Sequence, residues 1–309
     1  MLIPKMTRNE FRENHHNHAL WDEVVKALLE NENIPYHTFS RYVLGGNVVY
    51  NVDDQYVLKL FAPFDSREFT IETEVLAKTD WTKVSIQVPK IVQRGMYDGW
   101  EYFLMTTVPG TLLIDIWDEL TTIEKIGVAH DLGLLISQMH QLDISKYLDL
   151  ENTFESWISL QKENVVKHHA STGLAPHLLL EVQDYVASFV PSDEKVLLTG
   201  EYTPFNLLMN KVNGQWKLTG LIDFADCFIG EPEYDLLGPI LFSFFKEPGL
   251  TGAFLNAYGS PIDGATRLRL MQLLLLHRFS HLPNYMEGVM DMDEVQSLHM
   301  LSGRFFPSE

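Results

Sequence analysis

Between residues 18 and 31 the apolar side chains Leu20, Val24, Val25, Leu28 and Leu29 recur three or four positions apart. That spacing places them on one face of a helix. From about Tyr36 the period shortens, in HTFSRYVLGG, NVVYNV and YVLKLF, with Gly45-Gly46 and Asp53-Asp54 between the runs, and three antiparallel strands are predicted. The segment REFTIETEVLAK, residues 67 to 78, returns to helical spacing and carries Glu68, Glu72 and Glu74. Two further strands, VPKIVQRG and WEYFLMTTV, flank Tyr97-Asp98-Gly99, a turn sequence suited to a tight hairpin. Pro109-Gly110 then breaks the pattern. The expected organisation is a small antiparallel-sheet domain with an N-terminal helix over residues 1–108 and a mainly helical domain over 109–309. In the second part, Ile126, Leu132, Leu135, Ile136 and Met139 predict a long helix ending near His140, with further helices around 154–170 and 175–190. VLLTGE and NLLMNKVNGQWKLTGLIDF read as strands, with Asn213-Gly214 as a hairpin turn. Beyond Tyr234 the apolar period is helical again, through RLRLMQLLLLHRFSHL, and it places His277 and His281 on one helix face as packing residues.

Composition narrows the function classes. The longest uninterrupted aliphatic run is Leu273 to Leu276, far short of the roughly 18 residues that a membrane-spanning helix needs. The opening MLIPKMTRNEF lacks the apolar core of a signal peptide. A single cysteine, Cys227, allows no internal disulfide and suits a reducing cytoplasm. Twenty-three Lys and Arg face 42 Asp and Glu, a net charge of −19. That balance repels a nucleic-acid backbone, serves solubility, and favours a cationic small-molecule partner over an anionic one. The patch Glu287, Asp291, Asp293 and Glu294 reads as a solvated helix surface, with attraction of a polyamine substrate as the alternative. His15, His16 and His18 have no cysteine or second histidine pair to complete a metal site and read as a solvated approach to the first helix.

The chemistry is concentrated in LLTGEYTPFNLLMNKVNGQWKLTGLIDF. Glu201 stands five residues before Asn206, and Asp223 follows 17 residues later among Leu221, Ile222 and Phe224. Carboxylate, amide and carboxylate in that order can supply a base for an acceptor hydroxyl and two magnesium positions. Upstream, Lys59 lies 13 residues after the Gly45-Gly46 pair. Glycines let backbone amides approach phosphate oxygens, and a lysine fixed on the next strand can neutralise them. A carboxylate on the following helix would hold that lysine. Glu72 is the choice, with Glu68 and Glu74 as alternatives, because only one helix face can point inward. Singly, Lys59 could be an edge-strand charge, Asn206 a turn residue and Asp223 a local cap. Their joint order selects the phosphotransfer reading.

On these residues the chain resembles the aminoglycoside phosphotransferase family, with its bilobal, α+β protein-kinase-like fold: a small antiparallel-sheet N-lobe and a mainly helical C-lobe. That family carries His-Gly-Asp with Asn five residues on, Ile-Asp-Phe, and Gly-Asp-Pro-x-Tyr-Asp-Leu. Here these stand as Thr199-Gly200-Glu201, Asn206, Ile222-Asp223-Phe224 and Gly230-Glu231-Pro232-Glu233-Tyr234-Asp235-Leu236. Val108-Pro109-Gly110 resembles the interlobe stretch, and Leu132-Gly133 with Met139-His140 the long helix. The resemblance implies ATP, or alternatively GTP, bound with Mg2+ between the lobes. It implies Lys59 on the α and β phosphates and paired with Glu72, Gly45, Gly46 and Asn47 over the phosphates, and the backbone from Thr106 to Val108 on adenine. Asn206 and Asp223 would bind magnesium, Glu201 would be the catalytic base toward a hydroxyl of an aminoglycoside or other small acceptor, and Asp235 would be a structural acceptor. Glu201 departs from the family's Asp. Its extra methylene displaces the carboxylate by roughly 1.5 Å, and misplacement of ~1 Å can cost ~100-fold where geometry is the catalysis. The loose transition state of phosphoryl transfer depends less on a strong base than on positioning. The rival expectations are therefore a nucleotide-binding pseudokinase with an impaired base and a module that keeps only the fold.

Overall fold

The computed structural model describes residues 2–147, 153–247, 249–260 and 263–307. The chain divides into two compact units, the first made of residues 1–78, 87–109 and 222–226, the second of 79–86, 110–221 and 227–309.

The first unit is built on a five-stranded antiparallel sheet, β1 (Phe39–Tyr42), β2 (Val48–Val52), β3 (Tyr56–Phe61), β4 (Ile91–Tyr97) and β5 (Trp100–Thr106), in the order β1-β2-β3-β5-β4. The turns that join neighbours need positive φ at both central positions. Asp53 and Asp54 adopt φ 55° and 56°, Asp98 and Gly99 adopt 50° and 82°, and the Asp53 carboxylate steadies its turn by accepting the amides of His37 at 2.9 Å and Thr38 at 2.7 Å.

Strand alternation sorts the sheet's side chains onto two faces. One face sends Tyr50, Leu58, Leu60, Tyr102 and Leu104 against Trp21, Val24, Val25, Leu28 and Leu29 of α2 (His18–Asn31). The other carries Phe61, Phe103 and Met105, packed with Phe69 of α3 (Ser66–Lys78). Each fully buried Leu or Val contributes about 1.5–3 kcal/mol, so the two apolar faces fix the strand register. Ahead of α2, α1 (Arg8–Asn14) starts at a Thr7–Glu10 capping box. His15, which closes it, is buried rather than solvated as the sequence predicted, because Phe11 and Trp100 draw this junction into the core. His16 and His18 are exposed.

In the second unit, α4 (Leu113–Ile116) precedes the long helix α5 (Thr122–His140), which starts at a Thr121–Glu124 capping box. A Cβ on Gly133 would lie 2.4 Å from the Phe254 carbonyl of α9 (Leu250–Tyr258), so glycine is what lets these two helices approach. A three-stranded sheet orders β6 (Thr111–Leu112), β8 (Leu207–Val212) and β9 (Gln215–Leu221) as β6-β8-β9, and Asn213-Gly214 turns the β8–β9 hairpin with φ 53° and 82°. β6 is too short to show a period in the sequence. β7 (Val196–Leu198) pairs with β10 (Phe228–Gly230). The remaining helices are α6 (Thr153–Ser171), α7 (Pro176–Ala187), α8 (Glu233–Pro239), α10 (Gly264–Leu276), α11 (Leu282–Met286) and α12 (Leu298–Phe305). No described helix is long and apolar enough to cross a membrane.

Two expectations fail here. His277 and His281 do not share a helix. His277 ends α10, with its ring 4.8 Å from Tyr234 and its Nδ1 accepting the Phe279 amide at 3.2 Å. His281 caps α11 through Nδ1. The two rings thus supply acceptors for amides that the break between α10 and α11 leaves without helical partners. Nor do Glu287, Asp291, Asp293 and Glu294 line a helix, because α11 ends at Met286 and Asp291 caps a separate single turn.

The buried histidines make this unit acid-sensitive. His169 is fully buried, its Nε2–H donating to the Leu275 carbonyl at 2.9 Å, and burial holds its pKa down at about 4. In the unfolded chain it protonates near 6.5. The unfolded state therefore binds more protons as pH falls, and the stability present above 6.5 is lost on the way to 4. His169 alone is expected to cost on the order of 3 kcal/mol over that window. Chemical denaturation of wild type and His169→Gln between pH 7.5 and 4 checks this, with the variant losing correspondingly less.

Candidate active site

Lys59 sits on β3 between Leu58 and Leu60, so alternation turns it to the opposite face from theirs, toward α3. There Nζ donates to Glu72 Oε2 at 2.7 Å and to Asp223 Oδ1 at 2.8 Å. The Glu72 side chain is fully buried, and its second oxygen accepts the Phe224 amide at 3.3 Å. The other two helix carboxylates go elsewhere: Glu68 accepts from Asn47 Nδ2 at 3.0 Å, and Glu74 pairs with Lys78 on its own helix.

Asp223 holds φ 66°, a left-handed conformation that Asp tolerates better than most residues. Its carboxylate also accepts the Ala225 amide at 3.4 Å. Burial opposes a charged Lys59, but Asp223 and Glu72 outweigh it and hold the amine protonated. Desolvation likewise opposes ionisation of Asp223, and Lys59 overcomes it, keeping the carboxyl below its ordinary range. For Glu72 burial wins and pushes the carboxyl up to about 7 against the pull of Lys59. The Asp223 side chain is 44% exposed, which leaves one edge of a held-ionised carboxylate open to an ion.

The glycine turn precedes β2. Gly45 needs its residue type, at φ 100°, whereas a Cβ at Gly46 would meet nothing within 4 Å. At the end of β5, the Thr106 amide donates to Lys90 O and the Thr107 amide to Gln55 O, both at 2.9 Å. Of the three backbone amides in the stretch from Thr106 to Val108, only that of Val108 makes no such bond among the described residues.

In the second unit, Glu201 and Asn206 lie on the loop between β7 and β8. Asp235 anchors this loop from α8. Its carboxylate accepts the amides of Thr199 at 3.1 Å and Gly200 at 2.9 Å, and His140 Nε2 lies 3.2 Å from the same group. Asn206 donates Nδ2 to the Glu201 carbonyl at 3.2 Å, which fixes the amide flip and leaves Oδ1 as its acceptor. The Glu201 carboxylate is 30% exposed and has Arg278 Nη2 3.9 Å from Oε1. Arg278 was hidden in the sequence because the run around it read as continuous helix. The histidine directly after four leucines was the available signal for a break.

Among the described residues no group of three or more His, Cys, Asp and Glu could hold a metal ion. The structure thus brings together Lys59, Glu72 and Asp223 in one unit, and Glu201 and Asn206 in the other.

Residues 45–271 match the model of the phosphotransferase enzyme family (APH). Among solved structures, the GDP complex of wild-type aminoglycoside 2'-phosphotransferase-IIIa is similar at TM-score 0.68 and 16% identity, over 92% of this chain and 99% of that one. The streptomycin-ATP-APH(2")-IIa ternary complex is similar at TM-score 0.62 and 18% identity, over 92% and 97%. The macrolide 2'-phosphotransferase MphH from Brachybacterium faecium is similar at 0.61 and 17%, over 93% and 99%. These likenesses give the fold: bilobal, α+β and kinase-like, with a small antiparallel-sheet lobe and a mainly helical one.

Proposed function

Because the chain belongs to the phosphotransferase enzyme family, we propose that it is a Mg2+-dependent small-molecule kinase that transfers the γ-phosphoryl of ATP, or of GTP, to an acceptor hydroxyl. The observation that carries this reading is the buried Glu72–Lys59–Asp223 array. A lysine held protonated by two carboxylates, one sealed in the core and one half-open, is a fixed cation for phosphate oxygens beside a carboxylate for metal. Bound magnesium would neutralise charge on the transferring phosphates.

In this reading Lys59 meets the α and β phosphates, and Gly45, Gly46 and Asn47 cover them. The Val108 amide and the Thr106 carbonyl serve the base, and Asp223 and Asn206 Oδ1 are the ligands for the metal. Glu201 accepts the proton of the acceptor hydroxyl. Solved relatives in complex with streptomycin, kanamycin and gentamicin, and a macrolide phosphotransferase, support polyhydroxylated small molecules as the acceptor class. ATP supply and the single buried Cys227 suit the cytoplasm.

A second reading, nucleotide binding with an impaired base, draws on Arg278 beside Glu201, since an ion pair to that carboxylate competes with an acceptor hydroxyl for it. Assay of Mg-ATP-dependent phosphorylation across a hydroxyl panel, with kanamycin and erythromycin as first probes, separates the two. Turnover is expected in wild type, with Glu201→Gln lowering kcat about 100-fold, the low end for general-base catalysis because the transition state is loose. Magnesium-dependent stabilisation by ATP without phosphorylation of any acceptor would favour the second reading.

A further inference from the structure

The family match begins at residue 45, so α1, α2 and the junction between them lie outside it. That junction nevertheless reaches the glycine turn. His15, between the two helices, places Nε2 3.2 Å from the backbone carbonyl of Asn47, the residue directly after Gly45-Gly46. A carbonyl can only accept, so Nε2 carries the proton and donates.

The ring is itself held. It meets Phe11 edge-on at 5.4 Å, and Phe11 packs on Trp21 at 5.8 Å and Trp100 at 5.7 Å within the core of the first unit. His15 is only 8% exposed. From the other side, the Asn47 side chain donates to Glu68 Oε2 on α3, one turn before Glu72. Asn47 is thus fixed twice, by its carbonyl to the N-terminal segment and by its amide to the helix that positions Lys59. A cavity of about 340 Å³ lined by Arg8, Arg12, His15, Gly46 and Glu68 adjoins this point. Val43 and Leu44, on the far side of the glycines, are 54% and 60% exposed. The turn therefore has one exposed stem and one anchored stem.

We infer that His15 is a positioning residue for the nucleotide: it anchors the C-terminal stem of the glycine turn through the Asn47 carbonyl and so sets the affinity for nucleotide phosphates. The inference rests on the proposed phosphate role of Gly45, Gly46 and Asn47. A preordered turn binds without the entropy cost of ordering it in the complex.

Because removing α1 would open the core, the test uses point variants of the full chain. His15→Ala removes the donor; His15→Gln restores an N–H near the Nε2 position. Backbone 15N relaxation at Gly46 and Asn47 in nucleotide-free protein, and the Kd for Mg-ATP by calorimetry, are measured for wild type and both variants, with melting temperature as a control on folding. Loss of one net hydrogen bond predicts a Kd raised on the order of fivefold in His15→Ala, with more mobile Gly46 and Asn47. His15→Gln should return both toward wild type, and kcat at saturating ATP should change little. Unchanged relaxation at Gly46 and Asn47 in folded His15→Ala, or a His15→Gln protein as mobile and weakly binding as His15→Ala, overturns the inference. If wild type binds no Mg-ATP, the nucleotide reading fails and the affinity role fails with it, while relaxation still decides whether His15 anchors the turn.

Discussion

Asp223→Asn is expected to lower kcat by roughly 10³-fold, since a metal's stabilisation of transferring phosphate is worth several kcal/mol and each 1.36 kcal/mol is tenfold in rate. The substitution isolates charge from shape. Asn tolerates the left-handed φ of 66° as Asp does, and its oxygen can still receive the Lys59 ammonium. What is lost is the ionised oxygen that the half-exposed side chain presents. Lys59 keeps its buried partner Glu72, so the cost in stability should be about 1 kcal/mol, near that of one charge-assisted hydrogen bond weakened to a neutral one. Single-turnover kinetics and denaturation on the same preparation check both numbers. A near-wild-type kcat would remove Asp223 from the metal and with it the phosphotransfer mechanism. An equal loss of Mg-ATP and of metal-free ATP affinity would assign Asp223 to shaping the turn instead.

The candidate site residues were legible where local rules are strong. Alternation in YVLKLF fixes the face of Lys59, and the turn pairs Asp53-Asp54, Asp98-Gly99 and Asn213-Gly214 need only their own backbone to act. The choice of Glu72 over Glu68 and Glu74 could be posed from the sequence but not decided. Glu68 and Glu72 lie four residues apart on one face, and what separates them is distance along α3 from β3, a tertiary quantity. His15 was misread for a similar reason. A histidine among polar neighbours looks solvated until Phe11 meets its ring and Trp100, 89 positions further on, packs against Phe11. Arg278 was obscured because apolar residues recur past the leucine run, at Phe279 and Leu282; the break lies where the rings of His277 and His281 accept backbone amides.

Lys59→Met should destabilise the first unit by about 3–5 kcal/mol, the usual result of removing one partner from a buried pair. Glu72 has no exposure with which to recruit water, and the Phe224 amide alone cannot replace an ammonium. The variant's stability should also differ from wild type in its pH dependence, with a definite sign. Burial already raises the Glu72 carboxyl above its ordinary range with Lys59 present, and without it the folded state will hold the proton more firmly. The unfolded chain ionises from about 4.5 upward while the folded carboxyl stays protonated, so stability falls as pH rises; wild type shares this fall only up to about 7, where its own Glu72 ionises, and the variant continues to lose stability beyond it. Lys59→Met should therefore be closest to wild type near pH 5 and furthest from it above pH 7. Adding Glu72→Leu removes the stranded carboxyl, and burying two apolar side chains in place of an ion pair is often neutral or stabilising, so the double variant should regain most of the loss. Neither should regain turnover, because the cation proposed for the phosphates is gone. Denaturation midpoints at pH 5 and pH 8 for the single and double variants, set against kcat, separate the two roles of Lys59. If activity returned together with stability in the double variant, Lys59 would be structural alone and the phosphate contact would have to come from another cation.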